Sequence, residues 1–354
     1  MVELAEVLAR HWPEYQRRFR EEILPSHQRA VHAILSCRTA QRGGQTYRCD
    51  DCGHFHFAYH SCNHRACPKC GHQDATDWIQ RQKTKLLPVP YFLVTFTLPG
   101  KLRALFRSHQ KQLYTLFFQE SASTLQDVAA NPKYLGVQLG FLGVLQTWSR
   151  QLWFHLHVHY IVPGAGLRAD GLRWIRGPDP DYFLPEKVLA RRFRTRLRLA
   201  LQQSPQLFSQ IPAEVWHQDW AVDIVAIGSG IAALKYLANY VYKTAFASQR
   251  ILRDDGHQIT FSYKDGKDGQ WKPAILTPQE FIRRFLQHVL PRGFQRVRYF
   301  GWLSPAAKSK RQRIFALLDW KAPELSAPTP VPLPLCPRCQ KTMRRMGSLP
   351  RAPP

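Results

Sequence analysis

The sequence predicts an α+β protein: an antiparallel sheet flanked by helices, preceded by a helical segment and a zinc ribbon. Three observations carry that prediction. Runs rich in β-branched and aromatic residues, Tyr91–Leu98 and Phe154–Val162, alternate with stretches whose apolar residues recur near every 3.6 positions. Residues 137–148 and the Phe154 run are joined by a short connection, which favours an antiparallel hairpin. The eight cysteines come mostly as C-x-x-C pairs, which in a basic chain favours metal over disulfides.

Charge narrows the partner. Lys and Arg number 50 against 25 Asp and Glu, a formal charge of +25. Neutralising phosphates releases condensed counterions, so nucleic acid is the expected partner. An acidic membrane surface is the competitor, but no apolar run approaches a spanning length and the N-terminus lacks a signal-peptide pattern. An intracellular protein with no membrane association is expected.

In chain order, residues 4–35 keep a helical period punctuated by Pro13 and Pro25, each expected at a first turn. Residues 1–35 are therefore read as an N-terminal helical segment. Residues 36–88 form the second segment. Cys49-x-x-Cys52 and Cys67-x-x-Cys70 are each followed by glycine, which suits four thiolates around one structural zinc ion. Cys62, His60 and His64 are alternates for a ligand, and Cys37 reads as a small core residue. Tyr47, Arg48, Phe55, Phe57, Tyr59 and Arg65 interleave aromatic and basic side chains, which suits DNA contact or simply covers the zinc core.

Pro88-Val89-Pro90 marks a boundary, and residues 89–305 read as the main domain. Helix is expected from Leu102 to about Ala129, and strand over 137–148 despite its glycines. In Phe154–Val162 the pleat puts His155, His157 and His159 on one face and Phe154, Leu156, Val158, Tyr160 and Val162 on the other. One face suits a core. The other suits a metal ion, or is an exposed strand rich in His.

Five arginines, at 191, 192, 194, 196 and 198, lie on a helix expected over Glu186–Gln202. Arg191, Arg194 and Arg198 are candidates for tracking phosphates, with a solvated helix surface as the alternative. Trp220–Ile227 reads as strand, and a helix begins near Ile231. On it Tyr236 and Tyr240 are four apart and share a face, with Lys243, a further candidate for DNA contact, close to the same stripe. They present either two nucleophiles or an aromatic core stripe. Residues 306–354 hold a basic helix, a Pro-rich linker over 321–335 and Cys336-x-x-Cys339, half a zinc site. That half borrows a ligand elsewhere in the chain or pairs across a homodimer.

Imidazoles on a strand, tyrosines on a helix, a zinc module and excess positive charge converge on phosphodiester chemistry. His157-Val158-His159 is similar to the His-hydrophobic-His motif of the HUH endonuclease superfamily. The wider chain resembles the two-tyrosine rolling-circle transposases of bacterial insertion sequences. The likeness runs through Tyr47-Arg48-Cys49-Asp50-Asp51-Cys52-Gly53, Cys67-Pro68-Lys69-Cys70, Leu145-Gln146-Thr147-Trp148, the His strand, Tyr236-Leu237-Ala238-Asn239-Tyr240 and residues 281–294, in the family's order.

That resemblance implies nicking and joining of single-stranded DNA at transposon ends and target, through 5'-phosphotyrosine, on a sheet of the HUH nuclease type. It makes Tyr236 and Tyr240 the nucleophiles, and His157 and His159 ligands of catalytic Mg2+ or Mn2+. His155 is the candidate third ligand, with Asn239 its competitor. It also implies a bacterial, cytoplasmic, nucleoid-associated protein. There is no P-loop, so strand separation would fall to a host helicase or the replication machinery. Three positions depart from the family: Gln146 stands where His is frequent, Leu156 where Pro is usual and Tyr242 where His is common. The rival readings are a non-enzymatic zinc-ribbon DNA-binding protein and a rolling-circle replication initiator.

Overall fold

The computed structural model describes residues 2–70, 72–232, 234, 236, 241, 244–325 and 332–352. The chain forms two compact units, and neither is continuous in sequence. The first gathers Met1–His72, Thr244–Val289 and Ser326–Pro354; the second gathers Gln73–Lys243 and Leu290–Leu325.

The first unit opens with helices α1 (Leu4–Arg18) and α2 (Pro25–Leu35). Leu4, Val7, Leu8, Trp12 and Tyr15 are the buried stripe of α1. Pro25 stands at the start of α2 as expected, but Pro13 sits inside α1 rather than in a first turn. The buried His11 bonds both carboxylate oxygens of Asp254 at 3.1 Å, which ties α1 to strand β10 (Ile251–Asp254). Strands β11 (Ile259–Lys264) and β12 (Trp271–Leu276) complete an antiparallel sheet with β10. Phe246 meets Phe281 and Phe261 edge to face over it, with centroids 5.1 and 5.4 Å away. Phe281 belongs to the helix Pro278–Leu286, whose Thr277 caps the Glu280 amide.

A second sheet in this unit joins the two ends of the chain. Strands β1 (Gly44–Arg48) and β2 (Phe55–Tyr59) make a hairpin, and β14 (Arg344–Leu349) pairs antiparallel on the free edge of β1.

The second unit is built on a five-stranded, wholly antiparallel sheet, which bears out the α+β reading. Its strands are β3 (Pro90–Thr97), β5 (Gly140–Trp148), β6 (Phe154–Pro163), β9 (Val222–Ser229) and β13 (Val297–Gly301), in the order β13-β5-β6-β3-β9. The His strand, β6, is the middle one. Phe154, Leu156, Val158, Tyr160 and Val162 are buried, as the alternation predicts, against α5 (Gln110–Ala130) and α6 (Glu186–Gln202). The expected single helix after Leu102 is two, α4 (Arg103–Ser108) and α5, parted at His109 with φ −119° and ψ 45°.

On the opposite sheet face an apolar cluster gathers at one end. Tyr91, Leu93, Leu142, Val144 and Ile161 pack there with Trp78 of α3 (His72–Lys83), Leu234, Trp302 and Ile314. A small satellite sheet, β4 (Val137–Gln138), β7 (Ala165–Arg168) and β8 (Trp174–Arg176), extends this unit. No helix among the described residues is long and apolar enough to cross a membrane.

The glycines of β5 have a packing reason. A Cβ on Gly140 would enter the Trp302 ring, and one on Gly143 would lie 2.5 Å from the buried Tyr160 ring. Tyr160 in turn bonds Ser121 of α5 at 2.7 Å. Gly143→Ala is therefore expected to destabilise the protein by about 1–3 kcal/mol through overpacking. Urea unfolding measures it, and an unchanged midpoint would show that the ring moves aside freely.

Candidate functional site

His155, His157 and His159 project from β6 on the face opposite the main core. His157 and His159 are 7% and 8% exposed, so this is a buried row and not a solvated one. The rings run in series, with centroids 4.9 Å apart from His155 to His157 and 4.7 Å from His157 to His159. Burial, with the two neighbouring imidazoles, holds His157 well below the ordinary imidazole range. Burial, then His155, pushes His159 down to about 4. Both are neutral at physiological pH, the form that donates a lone pair to a metal.

Each ring is oriented by a second contact. His157 Nδ1 donates to the His155 carbonyl at 2.8 Å, which leaves Nε2 with the lone pair. His159 Nδ1 lies 3.0 Å from Thr95 Oγ1, on the neighbouring β3, which fixes its ring. His155 is held differently. Arg103 Nη2 donates to His155 Nδ1 at 3.0 Å, so its Nδ1 lone pair is taken and a cation sits against it. A neutral imidazole has one acceptor nitrogen, so this contact counts against His155 as a third ligand. Among the described residues, groups of three or more His, Cys, Asp or Glu ligand atoms come together twice, and neither group contains a histidine.

A different side chain faces the pair. Gln146 of β5 stands directly across from His157 in the ladder. It is 8% exposed, and its Oε1 is buried with no hydrogen-bond partner. A buried amide oxygen without a partner is costly unless something else satisfies it. The imidazoles of His157 and His159 and this carbonyl oxygen are a donor set that fits a hard or borderline divalent ion.

The tyrosine helix follows β9. Leu234 docks in the apolar cluster on the same sheet face as the histidines, and Val241 packs against it. Tyr236, about 200° round the helix from Leu234, is 40% exposed. Tyr240, Asn239, Tyr242 and Lys243 lie outside the described residues.

The arginine helix is elsewhere. The buried stripe of α6, Leu189, Phe193, Leu197 and Leu201, packs against the apolar face of β6, so the sheet lies between α6 and the histidines. Arg196 is paired with Glu120 at 3.0 Å and Asp127 at 2.7 Å on α5, acids that its own helix does not supply. Arg194 bonds the Gln218 carbonyl at 2.9 Å, Arg191 bonds the Lys187 carbonyl at 3.2 Å, and Arg198 lies over the Trp216 ring at 5.9 Å.

The cysteines depart most from expectation. Cys49, Cys52, Cys67 and Cys70 do not share one site. Cys37, Cys62, Cys67 and Cys70 form one group, and Cys49, Cys52, Cys336 and Cys339 form another. The reason is the hairpin. Cys49 and Cys52 lie in the turn between β1 and β2, while Cys37 precedes β1 and Cys62 follows β2. Strands of five residues separate those two ends by roughly 15 Å. In the first group Cys70 Sγ is 3.4 Å from Cys37 Sγ and 3.5 Å from Cys62 Sγ. Hydrogen bonding from Cys67, and then from the His64 amide, draws the Cys62 thiol down to about 5.

The same hairpin offers an aromatic face. Phe55 and Phe57, alternating along β2 with Tyr59, are 53% and 48% exposed. Arg48 lies across from Phe55 with its guanidinium 5.8 Å from that ring, and Arg344 of β14 lies beyond it, paired with Asp50.

Comparison with known proteins finds two matching family descriptions. A family described as "Putative transposase" matches residues 140–312, and one described as "Transposase zinc-binding domain", of the IS91 type, matches residues 7–98. The "Putative transposase y4qJ" of Sinorhizobium fredii (strain NBRC 101917 / NGR234) is 33% identical over 351 residues, 94% of this chain and 87% of the relative. The chain belongs to the IS91/IS801 family of transposases. The "Transposase for insertion sequence element IS801" of Pseudomonas savastanoi pv. phaseolicola is 28% identical over 294 residues, 77% of this chain and 69% of the relative. No solved structure matches.

This transposase is thus a DNA-acting protein with a zinc-binding module. The sequence reading did not single out Thr95, Arg103 or Gln146 as site residues; it met Gln146 only as a departure from the family. It read Cys37 as a core residue, offered Cys62 only as an alternate ligand, and left Cys336 and Cys339 as half a site without naming the other half. Simple counting carried a signal for the last group, since eight cysteines are two sets of four. One consequence of the His155 contact is directly measurable. Burial and then Arg103 lower the His155 pKa. Arg103→Ala should raise it part of the way to the ordinary value, as read by imidazole NMR titration, and an unmoved titration would remove Arg103 from the account.

Proposed function

We propose that this transposase nicks and joins single-stranded DNA at the ends of its insertion sequence through 5'-phosphotyrosine, with Tyr236 and Tyr240 as nucleophiles on an HUH-type sheet. The observation that carries the proposal is the buried, neutral His157–His159 pair facing the unpartnered Gln146 oxygen, on the sheet face where the tyrosine helix docks. A purely structural strand has no need of three polar donors turned inward together.

A tyrosine oxygen attacks phosphorus as the P–O3' bond breaks. The phosphate passes to the phenol oxygen, the 3'-oxygen takes up a proton, and the phenolic proton leaves to solvent. The ester keeps the bond energy, so a 3'-hydroxyl can reverse the step and be joined. His157 and His159 would hold a Mg2+ or Mn2+ ion through Nε2, with Gln146 Oε1 as third donor in place of His155. When bound, such an ion neutralises charge on the scissile phosphate and its leaving oxygen. Thr95 and the His155 carbonyl keep the two rings aimed. The aromatic face of β2 offers stacking surfaces for unpaired bases, with Arg48 beside them for the backbone. Arg191, Arg194 and Arg198 would serve as an outlying phosphate track across the sheet from the chemistry.

Three outcomes are expected. With a labelled single-stranded end and Mn2+, the protein should form a covalent adduct at tyrosine. Tyr236→Phe and Tyr240→Phe should each block at least one transfer, and no adduct with any end-derived DNA would overturn the enzymatic reading in favour of a zinc-ribbon binding protein. Gln146→Ala should weaken Mn2+ binding by roughly tenfold or more, read by electron paramagnetic resonance of free Mn2+, whereas Gln146→His should keep it. Equal binding in Gln146→Ala would exclude the amide from the ligand set. Phe55→Ala and Phe57→Ala should each cost about 1–3 kcal/mol in affinity for single strands, with little effect on duplex. Equal losses on both would argue against stacking.

A further inference from the structure

We propose that the protein carries two zinc ions, and that the second, held by Cys49, Cys52, Cys336 and Cys339, fastens the C-terminal strand onto the N-terminal module. This does not depend on the chemistry at His157.

The sulfur geometry is the first argument. Cys49 Sγ lies 3.4 Å from Cys339 Sγ, Cys52 Sγ 3.5 Å from Cys336 Sγ, and Cys339 Sγ 3.6 Å from Cys52 Sγ. Thiolates about 2.3 Å from a tetrahedral zinc ion have sulfurs about 3.8 Å apart. A disulfide would need about 2.05 Å. The spacing therefore suits a four-sulfur metal site and not two crossed disulfides, and all eight cysteines are free thiols.

The backbone makes the second argument. Around Cys49, the Cys49 amide donates to the His54 carbonyl and the Gly53 amide to the Cys49 carbonyl, both at 2.9 Å. Around Cys336, the Cys336 amide donates to the Lys341 carbonyl at 2.7 Å and the Gln340 amide to the Cys336 carbonyl at 2.8 Å. The offsets are identical in both loops. Gly53 and Gln340 occupy the same place in them, with φ of +70° and +60°. For a glutamine that conformation costs about 1 kcal/mol or more, a strain retained in a loop built to the same plan as its partner. Two matching knuckles facing each other, 284 residues apart in sequence, are the two halves of one site.

The third argument is what else holds this region. Besides the ladder of β14 on β1, its apolar cluster among the described residues contains only Cys49, Cys336 and Met343 as buried members, with Tyr47 and Cys339 packed against them. The Arg344–Asp50 pair is exposed and adds little. So small a core cannot secure a strand and a knuckle by burial alone, and a structural metal is the usual substitute. The zinc-binding family match stops at residue 98 and so contains only the Cys49–Cys52 half.

The test is metal content of the full-length protein. Elemental analysis should find two zinc ions per chain, and X-ray absorption should show sulfur-only ligation at about 2.3 Å. Cys336→Ser with Cys339→Ser should retain one zinc and make residues 332–352 sensitive to protease, while Cys37→Ser with Cys70→Ser should also lose one. One zinc per wild-type chain, iron in its place, or two zinc ions retained without Cys336 and Cys339 would each overturn the proposal. Should either double variant fail to fold, native mass spectrometry of the wild-type chain during stepwise chelation still decides between one ion and two.

Discussion

The alternation of a single central strand governs the second unit. Burying Leu156, Val158 and Tyr160 under α5 and α6 leaves His155, His157 and His159 no choice of direction. A one-residue slip would put the imidazoles in the core and the aromatics over the site. The neighbours of β6 guard against this. Gly143 leaves room for the Tyr160 ring, with Phe118 beside it, and Ser121 ties the hydroxyl of that ring from the helix above. The direction of the imidazole row thus follows from packing on the other side of the sheet.

Much of this was legible in the sequence because it is local. Strand alternation showed which face of β6 was apolar, and α6 was expected over the residues it occupies, Glu186–Gln202. The glycines of β5 weakened a reading that was right, because their reason lies in Trp302 and Tyr160, far along the chain. What the sequence could not show is what long-range closure decides. Arg196 seemed to lack an acid, yet Glu120 and Asp127 reach it from α5. Spacing grouped Cys52 with Cys67, but an intervening strand sends them to opposite ends of a hairpin. His155 resembled its two neighbours until Arg103 took its acceptor nitrogen.

The positive charge is likewise divided by architecture. Part of it lies on α6, behind the sheet, and part on the sheet that β1, β2 and β14 share. Of these two elements, only the β1–β2 hairpin carries exposed aromatic rings, Phe55 and Phe57. Attraction by net charge is insensitive to sequence and fades with salt, whereas stacking requires unpaired bases.

The pairing of β1 with β14 also sets an order of events in time. Gly44 meets Leu349, so this edge of β1 waits for residues 344–349 to be made before β14 can pair on it. At about 5–20 residues per second, synthesis of the intervening chain takes roughly a quarter of a minute to a full minute. During that interval the sheet of β1, β2 and β14 is incomplete. A copy shortened by an early stop codon never finishes it. Continuity of the chain from Gly44 to Leu349 is thereby built into this sheet.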